Sequence, residues 1–385
     1  MVQVHGEVAD GYGEVADAFA ANFDDHSELG AAFALSVGGE AVVDIWGGIA
    51  DKASGGPWQN DTLALVFSTT KGMTAICVAM LVERGALSYD DPVAAHWPEF
   101  AANGKETITV RQLLSHQAGL PYVDATLDLD QVCEVTPVVE ALAAMRPVWP
   151  PGSAHGYHAL TYGWLAAELL RHVDGRPLGQ FLREEVCDPL GLDLWIGLPE
   201  AEESRVATLE SAPRPTDPAI IEMMQRVMGP GTTGGRALTM SGAIDFSDVG
   251  KVFNSRQVHA TEMPGANGIT TARSLARLYA ATIGEVDGHR LVGDHTVAAM
   301  SAEQVKGPDE SLVLETRFGC GFMLHGLLCP MLTPDSFGHP GAGGSLGYAS
   351  PSTGVAYGYV MNQMGGGVAG DPRTIALNDA VRACL

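Results

Sequence analysis

Strand-like runs at both ends of the chain, with helical patterns between them, predict an α+β fold. In this fold an antiparallel sheet built from both chain termini is flanked by helices and carries an inserted, mostly helical lobe. The supporting observations are the β-rich runs confined to residues 31–46 and 317–361, the helix-like apolar spacing between them, and the lack of any internal repeat. Pairing the terminal strands covers every apolar face. It divides the chain into a discontinuous sheet domain, residues 1–85 with 265–385, and a helical domain, residues 86–264.

Glu7 to Phe23 sets Val8, Tyr12, Val15, Phe19 and Phe23 at near-helical spacing and reads as an amphipathic opening helix. The period then changes. Ala31 to Val37 and Ala41 to Trp46 are short β-rich runs on either side of Gly38-Gly39, a hairpin signal. Helices are predicted over Ser68 to Arg84, stopped at Gly85, over Thr109 to Ser115, over Tyr162 to Val173, stopped at Gly175, and over Thr271 to Ile283. Glu202 to Met263, rich in Gly, Pro, Met and Thr, fits no regular period and is expected to form a lid or cleft wall. Strands follow at Arg317 to Leu324, Ser336 to His339, Leu346 to Ser350 and Val355 to Met361, broken by turn residues such as Pro351 and Gly354. A last helix starts at Pro372 and runs to Ala383.

A chain of 385 residues with 46% hydrophobic content can bury a large core, as one layered unit or two lobes sharing a cleft. Its 46 acidic against 22 basic side chains leave a formal charge of -24, which repels phosphate backbones and anionic lipid surfaces. Nucleic acid is excluded on this ground, and small neutral molecules are the better partners. Met1 to Ala21 has neither the basic nor the apolar region of a secretion signal, and no later stretch reads as membrane-spanning. A soluble cytoplasmic protein is expected. Cys77, Cys133, Cys187, Cys320, Cys329 and Cys384 are far apart with no C-x-x-C pair, so reduced thiols are expected rather than a disulfide frame or a metal site.

The strongest chemical signal is Ser68-Thr69-Thr70-Lys71, opening a helix whose Met73, Ile76, Cys77, Met80 and Leu81 mark it as buried. Three residues apart puts Ser68 and Lys71 on one helical face. A serine hydroxyl is a weak nucleophile until a base takes its proton, and lysine is a base only when neutral. Burial and a helix N-terminus both disfavour the ammonium form. The same spacing arises by chance roughly once in a chain this long. Yet of Lys52, Lys71, Lys105, Lys251 and Lys306, only Lys71 has serine at that offset. The plainer reading makes Ser68 a helix cap and Lys71 a surface lysine with a buried stem.

Longer motifs bear on that choice. Phe67-Ser68-Thr69-Thr70-Lys71-Gly72-Met73, Leu87-Ser88-Tyr89-Asp90-Asp91-Pro92-Val93 and Leu113-Leu114-Ser115-His116-Gln117-Ala118-Gly119-Leu120 occur in that order. Pro151-Gly152, Tyr157-His158-Ala159, Tyr162-Gly163 and Asp188-Pro189-Leu190-Gly191-Leu192 follow. Together they resemble the β-lactamase-like serine hydrolases, which include class C β-lactamases, D-aminopeptidases and family VIII carboxylesterases. The resemblance implies a β-lactamase/transpeptidase-like fold, with Ser68 as nucleophile and Lys71 as base. It makes Tyr157 the partner in the proton relay, with Ala159 where that family has an Asn.

The family's third element, Lys-Thr-Gly, is matched by His339-Pro340-Gly341, within Phe337 to Gly344. Repetition in Gly341-Ala342-Gly343 leaves a register two residues away open. This alignment puts the oxyanion hole at the amides of Ser68 and Ala342, and substrate contacts at His339, Gly341, Gly343 and His158. An imidazole in place of an ammonium removes the anion anchor, which favours esters without a carboxylate. The expected activity is a serine carboxylesterase acting on small or short-chain esters through an acyl-enzyme, with no cofactor. Because lysine and tyrosine titrate near pH 10 in water, activity should still be rising past about pH 7.5. A β-lactamase, D-aminopeptidase, amidase or acyltransferase on the same scaffold is the alternative, and a non-catalytic binding domain a more distant one.

Two further patterns are weighed against this. Gly343-Gly344-Ser345-Leu346-Gly347 matches a Gly-x-Ser-x-Gly nucleophile elbow, but no histidine follows Ser345 to act as its base. It reads as a glycine-rich strand end. His155 and His158 have the look of a metal pair without a third ligand, and read as polar lining.

Overall fold

The computed structural model describes residues 2–367 and 369–385. Near the amino terminus lie β1 (Val4–Val8), helix α1 (Gly13–Asp25), β2 (Gly30–Val37), β3 (Glu40–Asp51) and the two-residue β4 (Gly56–Pro57). Then come β5 (Ala64–Leu65), α2 (Thr70–Glu83), α3 (Thr161–Asp174), β6 (Leu194–Trp195), α4 (Pro218–Met228), α5 (Thr233–Thr239), β7 (Ile269–Thr270) and α6 (Ala272–Ile283). The carboxyl-terminal run supplies β8 (Val305–Pro308), β9 (Glu315–Phe318), β10 (Met323–Leu324), β11 (Phe337–Pro340), β12 (Leu346–Ser350), β13 (Val355–Met361) and α7 (Pro372–Cys384).

One antiparallel sheet runs in the order β1-β3-β2-β13-β12-β11-β10-β9-β8, with β4 added to β3. The two ends of the chain meet at its centre, where β2 pairs with β13 from Ala31↔Met361 to Val37↔Val355. All of β13 is buried, so its two faces are sorted by size rather than by polarity. Phe33, Leu35, Tyr357, Tyr359 and Met361 share a cluster with Val15 and Phe19 of α1 and with Leu377 and Val381 of α7. Burying a side chain such as Phe33 or Met361 contributes roughly 1.5–3 kcal/mol. The opposite face presents Ala34, Ala349 and Ala356 to Leu275, Ala276 and Tyr279 of α6. Small residues there let the helix lie close: a Cβ added at Gly358 would stand 2.3 Å from the Ala272 carbonyl oxygen.

The structure departs from the sequence expectation in four places. The opening helix starts at Gly13, not Glu7, because residues 4–8 pair with β3 from Val4↔Gly47 to Val8↔Val43. Val8 suits a helical stripe and a strand equally, and Gly11 at φ +92° turns the chain between them. The strand expected over Arg317 to Leu324 is two strands, since Gly321 at φ +88° reverses the chain and pairs Met323 with Phe318. Glu202 to Met263 contains α4 and α5, whose caps are local: Asp217 accepts from the Ala219 amide and Thr232 from the Gly235 amide. Ser68 itself lies in a 3-10 turn, Phe67–Thr69, ahead of α2. The six cysteines are free, and among the described residues no helix is long and apolar enough to cross a membrane.

Candidate active site

The small sheet β5-β7-β6 delivers the chain to Ser68. The Val66 amide donates to Gly268 O at 2.9 Å. The Thr70 hydroxyl donates to Phe67 O at 2.5 Å and accepts from the Gly268 amide at 2.8 Å. Between these anchors Phe67 is held at φ +44°, a conformation costly for a bulky residue, with its ring against Phe253 at 4.9 Å. The turn thereby lifts Ser68 alone. Ser68 is half-buried, while Phe67, Thr69, Thr70 and Lys71 are buried.

Lys71 is 0% exposed, with Nζ 3.1 Å from Ser68 Oγ. It donates to Ala159 O at 2.6 Å and to Gly265 O at 2.7 Å. Among the described residues no carboxylate pairs with it, and burial holds its pKa well below that of an ordinary lysine. A neutral amine has two N–H groups and one lone pair. An amine held on both carbonyls keeps its third tetrahedral position for the Ser68 hydroxyl, the position a general base would use. The snorkelling-lysine reading does not fit this burial.

Tyr157 reaches the same serine from the loop before α3. A hydrogen bond to Ser68 works against the upward push that burial gives its phenol. Lys71 Nζ stands 4.8 Å from its ring centroid, and the ring stacks with those of Phe318 and His339 at centroid distances of 6.2 Å and 5.9 Å. Burial thus disfavours both the ammonium form of Lys71 and the phenolate form of Tyr157.

His339 lies on β11 and is buried beside these groups. Its Nδ1 donates to Pro340 O at 2.7 Å, which leaves Nε2 as a lone pair without a partner among the described residues. Burial, with Lys71 nearby, pushes its pKa down to about 3, so the ring carries no charge at neutral pH. In the following turn Gly341 donates to Ser345 O at 2.7 Å and accepts from the Gly344 amide at 3.1 Å. Gly343 donates to Gly367 O at 3.1 Å and accepts from Arg373 at 2.5 Å. Both peptide groups of Gly341 and of Gly343 are engaged within the protein. Gly341 matters by its size: a Cβ there would lie 2.1 Å from Ser345 Oγ and 2.2 Å from Val66 O. Among the described residues the amides of Ser68 and Ala342 have no acceptor, which favours the first register over the one two residues away.

Arg373 of α7 holds that turn from behind. It is 2% exposed and binds Glu28 at 3.0 Å, Asp371 at 2.8 Å and Gln363 O at 2.9 Å as well as Gly343 O. Tyr359 adds a hydrogen bond to Glu28. Removing one member of a buried ion cluster leaves the others unpaired and costs about 3–5 kcal/mol. Arg373→Met is accordingly expected to lower unfolding stability by about that amount in a urea titration. A loss below about 1 kcal/mol would contradict the assignment of Arg373 as the anchor of this turn.

The remaining candidates are structural. His158 Nε2 accepts from the Leu120 amide at 2.9 Å, so its proton is on Nδ1, which donates to Gly156 O at 2.6 Å. Both ring nitrogens of His158 are thus bonded to the main chain. His155 pairs with Thr316 at 2.8 Å instead of meeting His158 at a metal. Ser345 donates to Val66 O at 2.8 Å and lies 3.0 Å from Thr69 Oγ1, pinning the β11–β12 turn to the Ser68 segment. Sequence reasoning missed Gly265 and Arg373. Gly265 acts through a main-chain carbonyl, which any residue has. Its place depends on Gly163 of α3, where a Cβ would come within 2.2 Å of the Gly265 nitrogen.

Fold and site together define a serine hydrolase, with a half-buried serine 3.1 Å from a buried lysine. The chain belongs to the Beta-lactamase family, whose model matches residues 15–382. It is similar to a Mycobacterium tuberculosis protein named esterase/beta-lactamase LipL, 38% identical over 356 residues covering 91% of this chain and 81% of that one. A family VIII carboxylesterase crystal structure covers 100% of both chains, at a TM-score of 0.90 and 38% identity. A penicillin-binding protein homolog from Caulobacter crescentus also covers 100% of both chains, at 0.89 and 41%.

Proposed function

We propose that the protein is a serine carboxylesterase that hydrolyses small or short-chain carboxylic esters through an acyl-enzyme intermediate. The observation that carries this reading is the 3.1 Å approach of Lys71 Nζ to Ser68 Oγ in a site where two carbonyls take the remaining N–H bonds of a neutral amine. Lys71 accepts the Ser68 proton as Oγ bonds to the ester carbonyl carbon, and the electron pair moves to the carbonyl oxygen. The amides of Ser68 and Ala342 receive that oxyanion. The C–O bond to the alcohol then breaks, and the alcohol leaves with the proton passed from Lys71 through the Tyr157 hydroxyl. Water attacks the acyl carbon, gives its proton to the same pair, and Ser68 is released with the carboxylic acid.

Preference for uncharged esters rests on His339. A neutral imidazole with a bare lone pair repels a carboxylate, where an ammonium would bind it, and Ala159 offers no side-chain amide. The name of the similar family VIII carboxylesterase supports the same choice. A panel of nitrophenyl esters of graded chain length, run beside a chromogenic cephalosporin, tests the proposal. Short esters are expected to exceed the cephalosporin in kcat/KM by about 10- to 100-fold or more, the worth of one charge-assisted hydrogen bond. His339→Lys should shift that ratio toward carboxylate-bearing substrates. Equal kcat/KM on both classes would reject the ester preference and favour a β-lactamase.

A further inference from the structure

Asp309 stands at the head of the turn between β8 and β9 and is 2% exposed. The Tyr157 amide donates to both of its oxygens, at 2.9 and 3.1 Å. Oδ1 also accepts from the amides of Ser311 and Leu312, each at 2.8 Å. Oδ2 accepts from the Thr316 hydroxyl at 3.0 Å. Because that hydroxyl has spent its proton on Asp309, its 2.8 Å contact with His155 places the hydrogen on His155 Nε2. The Glu310 amide donates to His155 O at 3.0 Å and closes the loop of bonds.

A buried carboxylate is costly unless its lone pairs are met, and among the described residues no lysine or arginine pairs with Asp309. Its charge is held by amides and one hydroxyl. An Asx turn needs only the Ser311 and Leu312 bonds. The reach to Tyr157, 152 residues away in sequence, is additional to the turn and ends one side chain from Ser68. Phe318 and His339 confine the plane of the Tyr157 ring, yet stacked faces let a ring slide. A tilt of about 10° at the backbone moves a tyrosine hydroxyl about 1 Å, and such a misplacement can cost about 10²-fold in rate.

We propose that Asp309 is the positioning residue for Tyr157, fixing the His155–Tyr157 backbone from two sides so that the hydroxyl stays on Ser68. The inference rests on the reading of Tyr157 as the proton relay. It is tested by a double-mutant cycle on the full chain with a nitrophenyl ester. Asp309→Asn keeps the size of the side chain but replaces one acceptor oxygen by an amide NH2 donor, and is expected to lower kcat about 10- to 100-fold with little change in KM. In a Tyr157→Phe background the same change is expected to cost less than about threefold, because no hydroxyl remains to be aimed. Thr316→Val, which removes one donor and leaves the turn, should show a smaller loss with the same dependence on Tyr157, and serves if Asp309→Asn does not fold. Equal losses in both backgrounds, or a change confined to KM, would overturn the proposal. Near-parent activity in Tyr157→Phe alone would instead overturn the underlying reading, so the two failures are told apart.

Discussion

Ser68→Ala and Lys71→Met are each expected to lower ester hydrolysis on the order of 10⁴-fold or more, the scale seen when one member of a cooperating nucleophile and base is removed. Ser68→Ala leaves no oxygen to form the acyl-enzyme. Lys71→Met fills the same buried volume without a nitrogen, so the Ser68 proton has no acceptor, and the Ala159 and Gly265 carbonyls lose their donors. That second loss costs stability as well. Circular dichroism melting must therefore accompany the kinetics, so that a drop in kcat is separated from unfolding. Ser345→Ala should stay within about tenfold of the parent, since its hydroxyl pins the Val66 carbonyl and faces no base. A fluorophosphonate probe should label the parent and Ser345→Ala but not Ser68→Ala. Activity lost in Ser345→Ala and kept in Ser68→Ala would move the nucleophile to the other serine.

Tyr157→Phe is expected to cost about 10²- to 10⁴-fold in kcat/KM, the usual worth of a positioned proton donor and acceptor. Its pH profile distinguishes relay from base. The active form has Lys71 neutral, so kcat/KM must rise with pH through the Lys71 pKa, which burial places below the ordinary value of 10.5. His339 and His158, pushed down to about 3 and about 4, are neutral throughout and supply no limb between pH 5 and 8. Tyr157 is pushed up and stays protonated over the same range. The rising limb should therefore keep its midpoint in His339→Gln and persist, at reduced height, in Tyr157→Phe. A limb that vanishes in His339→Gln would make the histidine the base.

Legibility varied with the range of the forces involved. The Gly38-Gly39 hairpin, the stop of α3 at Gly175 and the strands Leu346–Ser350 and Val355–Met361 follow from local turn chemistry and short-range patterning. The break between β1 and α1 did not, because Val8 to Phe23 satisfies two periods and only the partner strand β3 selects one. Within the site, Ser68 and Lys71 were legible because one helical turn brings them together. The hydrogen bonds of His158 were not legible, because a histidine beside Tyr157 looks the same in sequence whether its nitrogens face a ligand or the backbone.

What the amino-acid order determined by itself was the class of fold and the Ser-x-x-Lys pair, since both depend on spacing along a single helix or strand. Tertiary structure alone decided which groups hold the buried Lys71 amine. The carbonyls of Ala159 and Gly265 lie 88 and 194 residues away, and they are main-chain atoms that leave no mark in composition. It also decided that in the turn held by Arg373 the amides of Gly341 and Gly343 are bonded, while that of Ala342 has no acceptor among the described residues. The physical reason is common to both. A hydrogen bond between distant segments depends on where the folded backbone places a donor and an acceptor, whereas sequence pattern records only which faces are apolar.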